Sequence, residues 1–319
     1  MRRSTRSQTR KAAELSASPS TSHPQPLPQL NTASTIASPT IATLASTFTS
    51  KTTGLSRKST TLLKYKRAKL RTPNTQLTQF IQDTKNPPAL LVNAINATLI
   101  FAQEEAGTAV CISSNGLLLT CSHCVAEDAA TALNESTFHW LITATGEVVK
   151  AICVFWDAHR DLALLRIVAA EPPALESLPT PSSPSRTFSY VTLSPLAPPP
   201  STSLLCIGHP GSEDLEASTP GVSTGYDVLH ISSGKYRGLS PGQDPQDNSE
   251  IGALMHDCWT YWGHSGAPLV ERRTGGLVGL HSSWDEETGM RRGVAWEAVQ
   301  AFLEEHTTLG KLGERGVLE

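Results

Sequence analysis

The chain has 319 residues, of which 39% are hydrophobic and 17% are charged, and its formal net charge at pH 7 is −3. This length and composition suffice to bury a full hydrophobic core in one large domain or two small ones. No apolar run approaches the length of a membrane span, and the amino terminus lacks the charged-then-apolar pattern of a secretory signal. We therefore expect an intracellular protein that is neither secreted nor inserted in a membrane.

The first 85 residues differ in composition from the rest of the chain. Residues 1–82 contain 13 Lys and Arg but a single acidic residue, Glu14, and residues 1–60 are rich in Ser, Thr, Pro and Ala without apolar periodicity. Such a segment buries too little surface to offset its ordering entropy. We predict a disordered basic tail over residues 1–85.

Two basic clusters in this tail, residues 2–11 and 64–71, leave its role open. It is typical of a solvated extension, of a nuclear-import or nucleic-acid-binding patch, or of an Arg-rich mitochondrial presequence. The expected compartment is accordingly the cytoplasm or the nucleus, with the mitochondrion as the alternative.

From residue 86 onwards, short apolar runs alternate with turn residues, a pattern that predicts β-strands. The first set of predicted strands is 99–102, 109–112, 117–120, 138–143, 147–156 and 161–168. Residues 171–188 are dense in Pro and Ser and predict a linker. The second set is 190–193, 204–208, 228–232, 251–256, 267–270, 277–281 and 293–296, with a long surface loop at 234–248.

After Trp296 the apolar residues follow helical spacing, which predicts a short C-terminal helix, and residues 309–319 form a predicted tail. Two groups of about six strands indicate an all-β domain over residues 86–308, with halves at about 97–170 and 189–296. Counting strands does not by itself separate barrels from sandwiches.

The stretch Gly263-His264-Ser265-Gly266, just ahead of Pro and an apolar strand, is the most informative in the chain. A serine between two glycines suits a nucleophile on a tight turn, where backbone N–H groups can point at a developing oxyanion. Upstream, His123 ends one block and Asp161 begins an apolar run. The order His, Asp, Ser is one of the known chain orders of the hydrolytic triad.

These three blocks resemble those of the trypsin/chymotrypsin-like serine proteases, and in particular of the Deg-type (high-temperature-requirement) branch. The resemblance covers roughly residues 90–305, and it implies two packed six-stranded antiparallel β-barrels. His123 and Asp161 would then come from the first barrel and Ser265 from the second. The PDZ domain of many Deg-type enzymes is not expected, since only 23 residues follow Trp296. Three positions depart from the family pattern: Ser122, His264 and Ala267.

The chemistry expected of these residues is hydrolysis of peptide bonds in protein or peptide substrates through an acyl-enzyme intermediate. Ser265 is the predicted nucleophile, His123 the general base and then acid, and Asp161 the carboxylate that orients the imidazole. The N–H groups of Gly263 and Ser265 would form the oxyanion hole. Two alternatives are a protease fold that serves as a catalytically silent or latent binding module, and another acyl hydrolase that uses the same residues. Neither oligomeric state nor natural substrate follows from the sequence.

Thr260 and His281 are the candidate residues of the specificity pocket, because they are similar in placement to the Thr/His pair with which bacterial glutamyl endopeptidases bind an acidic side chain. The cysteines are expected to be reduced thiols in an intracellular protein; they are Cys111, Cys121, Cys124, Cys153, Cys206 and Cys258. We predict no metal site, because no second cysteine pair at short spacing accompanies Cys121 and Cys124, and we expect no cofactor.

Overall fold

The structure is a computed structural model that describes residues 41–72, 80, 89–103, 107–172 and 186–308. All of these residues belong to one compact unit, Pro39–Glu319. Within the described residues, no helix is both long and apolar enough to cross a membrane.

The described chain begins with three short elements: β1 (Ala42–Thr43), α1 (Ser50–Thr53) and α2 (Arg57–Leu70). Ser56 starts α2, since its side chain accepts a hydrogen bond from the N–H of Ser59. Thr60, Leu63 and Lys66 recur every third residue of α2, and all three are buried on one face of the helix. The N-terminal segment 41–72 therefore packs against the rest of the molecule.

The prediction of a disordered tail is thus wrong for residues 41–72, whereas residues 1–40, 73–79 and 81–85 lie outside the described part. The physical reason is charge pairing. Arg67 and Arg71, counted as solvated charges in the sequence, both bind Glu171, whose side chain is only 3% exposed. Trp140, whose indole N–H donates to the carbonyl of Thr53 at 3.1 Å, supplies further anchoring.

The first barrel is built from six antiparallel strands in the order β7-β4-β3-β2-β5-β6, and the pairing of β6 with β7 closes it. Its strands are β2 (Thr98–Phe101), β3 (Thr108–Cys111), β4 (Leu117–Thr120), β5 (His139–Thr143), β6 (Val148–Asp157) and β7 (Leu162–Ala170). Two helices not predicted from the sequence, α3 (Ala89–Asn96) and α4 (Ala129–Ala132), flank it. Strand β1 adds to β7 in parallel.

The second barrel is also closed and antiparallel, with the order β10-β13-β12-β11-β8-β9. Its strands are β8 (Ser203–Gly208), β9 (His230–Leu239), β10 (Leu254–His256), β11 (Pro268–Glu271), β12 (Leu277–Trp284) and β13 (Arg291–Ala295). Helix α5 (Trp296–Thr308) follows, as predicted. The prediction of two six-stranded barrels is confirmed.

Several boundaries in the second half differ from the prediction, and two of the differences are large. The loop predicted from residue 234 is a strand as far as Leu239, because this stretch pairs with β10. The strand predicted at 190–193 is reduced to one bridge between Leu193 and Leu277. Of the predicted linker, residues 173–185 lie outside the described residues.

The larger of two hydrophobic clusters among the described residues extends into both barrels. It includes Leu63 from α2, Leu119 from the first barrel, Leu280 from the second, and Phe302 from α5. Burial of this shared core fixes the two barrels against each other, and the predicted site residues lie along the line where they meet.

Candidate active site

The turn that carries Ser265 can be made only with glycine at its two ends. Gly263 and Gly266 have φ values of 98° and 79°, in the left-handed region that other residues rarely adopt. A Cβ atom on Gly266 would lie 2.1 Å from the carbonyl oxygen of Thr108, and one on Gly263 would lie 2.7 Å from that of His209. The two glycines therefore let the turn approach neighbouring backbone closely.

Thr108 of the first barrel holds this turn from across the interface. Its N–H donates to the carbonyl oxygen of Ser265 at 2.7 Å, and its hydroxyl donates to that of Gly263 at 3.1 Å. Among the described residues, the N–H groups of Gly263 and Ser265 have no hydrogen-bond partner, whereas that of Gly266 donates to His281. Two N–H donors of the turn are thus available to an incoming oxyanion.

His123 and Asp161 are brought together by two chain reversals of the first barrel. His123 lies on a 3₁₀ turn (Ser122–Cys124) after β4, and Asp161 immediately precedes β7. The Nδ1 atom of His123 is 2.9 Å from Oδ1 and 3.0 Å from Oδ2 of Asp161. This contact fixes the orientation of the imidazole, whose side chain is 38% exposed.

Asp161 is buried and has φ of 54°, a left-handed conformation that Asp and Asn tolerate better than most side chains. Its Oδ1 accepts hydrogen bonds from the Ser122 hydroxyl at 2.9 Å and the His123 N–H at 3.3 Å, and its Oδ2 accepts one from the Ser282 hydroxyl at 2.7 Å. Burial alone would raise the pKa of this carboxyl, but His123 and the two hydroxyls lower it below its ordinary value. Asp161 is therefore ionised at neutral pH.

The pKa of His123 is shifted in the opposite direction. Partial desolvation of the ring favours the neutral form, but the Asp161 carboxylate, together with Cys124, raises the pKa of His123 well above its usual value. The pair thus favours an imidazolium next to a carboxylate, which is the charge state that general-base catalysis generates.

Ser265 is linked to this pair through Ser282, a residue that the sequence analysis missed. The hydroxyl of Ser265 donates to the carbonyl oxygen of Ser282 at 3.0 Å, and the hydroxyl of Ser282 donates to Asp161. No hydrogen bond joins Ser265 and His123, both of which the structure describes. A serine within a strand carries no sequence signal of its own, so only the position of β12 next to Asp161 shows its role.

A comparison with protein families identifies the fold. A family model for the trypsin-like peptidase domain matches residues 107–280, more than half of the chain. The chain belongs to the trypsin-like peptidase family. The match does not single out the Deg-type branch, and no curated protein matches the chain. Both barrels of the peptidase contribute to the matched region.

The candidate pocket residues of this trypsin-like peptidase, Thr260 and His281, are both buried. His281 Nδ1 lies 3.1 Å from His256 Nε2, so the imidazole is held by a second histidine. Burial and neighbouring imidazoles hold the pKa of His281 well below its ordinary value. His281 is consequently neutral at pH 7 and can offer a hydrogen bond but no positive charge.

Aromatic side chains are concentrated in the segment that precedes Ser265. Trp259 and Tyr261 stack with ring planes 5° apart, and Tyr226 packs edge-on against both. Trp262, directly before Gly263, is 45% exposed. The segment directly before Ser265 therefore carries a cluster of partly exposed aromatic side chains, which the sequence analysis did not use.

All six cysteines of the peptidase are free. Cys121, His123 and Asp161 place potential donor atoms within 4.8 Å of one another and are, among the described residues, the group that could hold a metal ion. However, burial and the nearby Asp161 charge raise the pKa of Cys121 well above its ordinary value, so its thiol is protonated at neutral pH. The oxygens of Asp161 already accept hydrogen bonds. This arrangement fits a hydrogen-bonded catalytic pair better than a metal centre.

Proposed function

We propose that this trypsin-like peptidase is a serine endopeptidase in which Ser265, His123 and Asp161 form the catalytic triad. The observation that carries the proposal is the hydrogen-bonded His123–Asp161 pair beside a glycine-framed serine. Each residue taken alone could be structural. Their arrangement in the order and on the barrels that the family uses supports a common catalytic role.

In the proposed mechanism, the hydroxyl of Ser265 leaves the carbonyl of Ser282 and turns to Nε2 of His123. As its oxygen attacks the carbonyl carbon of the scissile peptide, its proton passes to Nε2. Asp161 holds the Nδ1 proton and stabilises the imidazolium, but does not take that proton itself. The carbonyl oxygen becomes an oxyanion, which the N–H groups of Gly263 and Ser265 bind.

The tetrahedral intermediate collapses when the C–N bond breaks, and His123 gives its proton to the leaving amine. An ester between Ser265 and the acyl half of the substrate remains. Water then attacks this ester with His123 again as the base, and the carboxylic acid leaves as the serine hydroxyl is restored. The residues of this chain supply every proton transfer in the cycle.

Thr260 and His281 are the proposed contacts of the side chain before the scissile bond. A neutral His281 N–H and a Thr260 hydroxyl can each donate a hydrogen bond to a carboxylate, which supports a preference for acidic residues. Cleavage of a peptide library measures this directly. No enrichment of Glu or Asp before the cut would refute the acidic preference without affecting the proposed reaction.

A latent binding module is the second candidate, and one observation favours it. The Ser265 hydroxyl donates to Ser282 rather than to His123, so the nucleophile is not aligned with its base. In a latent protein, a partner would be needed to shift this hydroxyl.

An active-site probe separates the two candidates. We expect a fluorophosphonate to label the purified full-length protein and to fail with Ser265→Ala, which removes only the nucleophilic oxygen. Peptide cleavage should be lost in the same variant. If the native protein is neither labelled nor cleaves any member of a peptide library, while its melting is cooperative, the enzyme proposal is refuted.

A further inference from the structure

Lys66 is a fully buried cation on helix α2. Its ammonium donates to the carbonyl oxygens of Phe101 at 3.0 Å and Gln103 at 3.2 Å, 35 and 37 residues further along the chain. Burying an ammonium group is costly unless hydrogen bonds replace its water. Lys66 thus holds the carbonyl groups at the end of β2, where the connection to β3 begins.

The helix that carries Lys66 is held firmly in place by its neighbours in sequence. Arg67 binds Glu171 through Nε at 3.1 Å and Nη2 at 2.5 Å, and Arg71 binds it through Nη2 at 3.1 Å. Arg71 also donates to the carbonyl oxygen of Gly146 at 2.9 Å. Since Glu171 ends the first barrel, α2 has a fixed position relative to that barrel.

Hydrogen bonds join the end of β2 to the start of β3, and the start of β3 to the turn that carries Ser265. The N–H of Phe101 donates to the carbonyl oxygen of Gly107 at 3.1 Å, and the next residue, Thr108, holds the carbonyl groups of Ser265 and Gly263. A Cβ atom on Gly107 would lie 2.0 Å from the carbonyl oxygen of Ser265. A displacement of Gly107 or Thr108 would therefore also displace the backbone of Ser265.

A second, electrostatic observation places Lys66 near the same residues. His209 is buried, and its N–H donates to the hydroxyl of Thr108 at 3.1 Å. Burial lowers the pKa of His209 well below its ordinary value, and the charge of Lys66 lowers it further. The ammonium charge thus acts on the imidazole of His209, a residue whose backbone N–H donates to the Thr108 hydroxyl.

We propose that Lys66 is a positioning residue for the peptidase reaction, acting through Phe101, Gly107 and Thr108 on the oxyanion-binding turn. The N-terminal segment 41–72 is then part of the active enzyme rather than an appendage. This inference rests on the proposed function, because it concerns the geometry of the same turn. Lys66 belongs to the basic cluster 64–71 of the predicted tail. The role proposed for it here differs from nucleic-acid binding and nuclear import, neither of which would require a buried lysine.

Three substitutions on one helix test the proposal in the full-length protein. Lys66→Met keeps the approximate length of the side chain but removes the ammonium, whereas Lys66→Arg keeps a cationic hydrogen-bond donor. Lys64→Met is the matched control on the exposed face of α2. We expect Lys66→Met to lower kcat and the rate of fluorophosphonate labelling at least tenfold with little change in KM. Interactions made mainly in the transition state affect kcat in this way.

Measurements are made well below the melting temperature of each variant, so that a merely structural loss is not counted as a catalytic one. Lys66→Arg should recover part of kcat, and Lys64→Met should match the wild type. If Lys66→Met retains kcat within twofold, or if Lys64→Met loses as much, the proposal is overturned.

A second variant keeps the test decisive if Lys66→Met does not fold. Thr108→Val removes the hydroxyl that donates to Gly263 and accepts from the backbone N–H of His209, while it preserves the shape and the N–H group of residue 108, and it should lower kcat at least tenfold with little change in KM. Wild-type kcat in Thr108→Val would overturn the proposed route. A wild-type protein that neither labels nor cleaves would refute the proposed function together with this inference, whereas an active wild type with unaffected variants refutes this inference alone.

Discussion

Replacing Asp161 with Asn is the most selective test of the proposed triad. The backbone of Asp161 has φ of 54°, which Asn tolerates almost as well as Asp, whereas Ala would add strain. The two side chains have nearly the same shape. The variant thus changes the charge and the hydrogen-bonding capacity of one buried group while the fold around it is kept.

The hydrogen bonds of the native carboxylate determine how the amide will sit. Both the Ser122 hydroxyl and the His123 N–H donate to Oδ1, so the amide oxygen of the substituted side chain must take that place. The NH₂ group then occupies the Oδ2 position and points at Nδ1 of His123 and the hydroxyl of Ser282. Nδ1 lies 2.9 Å from the Oδ1 position and 3.0 Å from the Oδ2 position, and the new NH₂ group next to it favours the tautomer in which Nδ1 accepts a hydrogen bond and the imidazole proton lies on Nε2.

With its proton on Nε2, His123 cannot accept the proton of Ser265. The expected loss in kcat is about 10⁴-fold, as for the corresponding change in other hydrolytic triads, which corresponds to roughly 5 kcal/mol. The pKa of His123 should fall as well, because the carboxylate that raises it has been removed. In the wild type, kcat/KM should rise with pH through a pKa above 6.5, since the neutral imidazole is the active form.

The assay is steady-state cleavage of the best peptide from a library, measured between about pH 5 and 10, with thermal unfolding as the control for folding. Asp161→Asn should melt cooperatively, and the ascending limb of its residual activity should move to lower pH. A variant with kcat within tenfold of the wild type would show that the carboxylate does not set the tautomer, and the assigned role of Asp161 would have to be abandoned.

Three further predictions follow from the contacts described. Ser282→Ala removes a charge-assisted hydrogen bond to Asp161 and should lower kcat by one to two orders of magnitude, about 1.5–3 kcal/mol, with KM nearly unchanged in steady-state kinetics; wild-type kcat would refute the link. Glu171→Gln weakens the attachment of α2 and should lower the free energy of unfolding in urea by about 2 kcal/mol, whereas a change under about 0.5 kcal/mol would show that water replaces the ion pairs. Burial and neighbouring charges lower the pKa of His256 to about 3, and burial, with nearby cationic groups, does the same for His264. Between pH 6.5 and about 3 the unfolded state binds more protons at both residues, so these two histidines together should lower the free energy of unfolding by about 2.7 kcal/mol for each unit by which the pH is decreased well below 6.5. Equal stability at neutral pH and about pH 5 in urea titrations would contradict this.

The barrels and the family could be predicted because their signals are local and dense. Runs such as Leu117–Thr120 are apolar, short and bounded by turn residues, so each strand is visible in the sequence alone. The glycines around Ser265 mark a turn whose conformation other residues rarely adopt. The closure of each six-stranded set into a barrel was predicted from the family resemblance alone. Pairing between strands that are distant in the chain cannot be recognised from the hydrophobic pattern of a short stretch of sequence.

The N-terminal helix could not be predicted because its stabilising partners are distant in the chain. Arg67 forms an ion pair with Glu171, about 100 residues away, and Lys66 donates hydrogen bonds to the backbone carbonyls of Phe101 and Gln103. In the sequence, these residues form a run of like charge that is typical of a solvated segment. Ser282 could not be predicted for a similar reason, because its hydrogen-bond partner Asp161 is 121 residues away in the chain and comes next to it only in the folded protein.

The parallel pairing of β1 with β7 has a consequence for how the chain assembles. Ala42 lies opposite Ala169, so the first described strand joins the last strand of the first barrel. Contacts between residues so far apart in sequence form slowly, because a long loop must close first. Although the segment around Ala42 leaves the ribosome early, its docking site is complete only after β7 has been synthesised and paired. We therefore expect this segment to fold late, and a nascent chain that stops before residue 170 to leave it undocked.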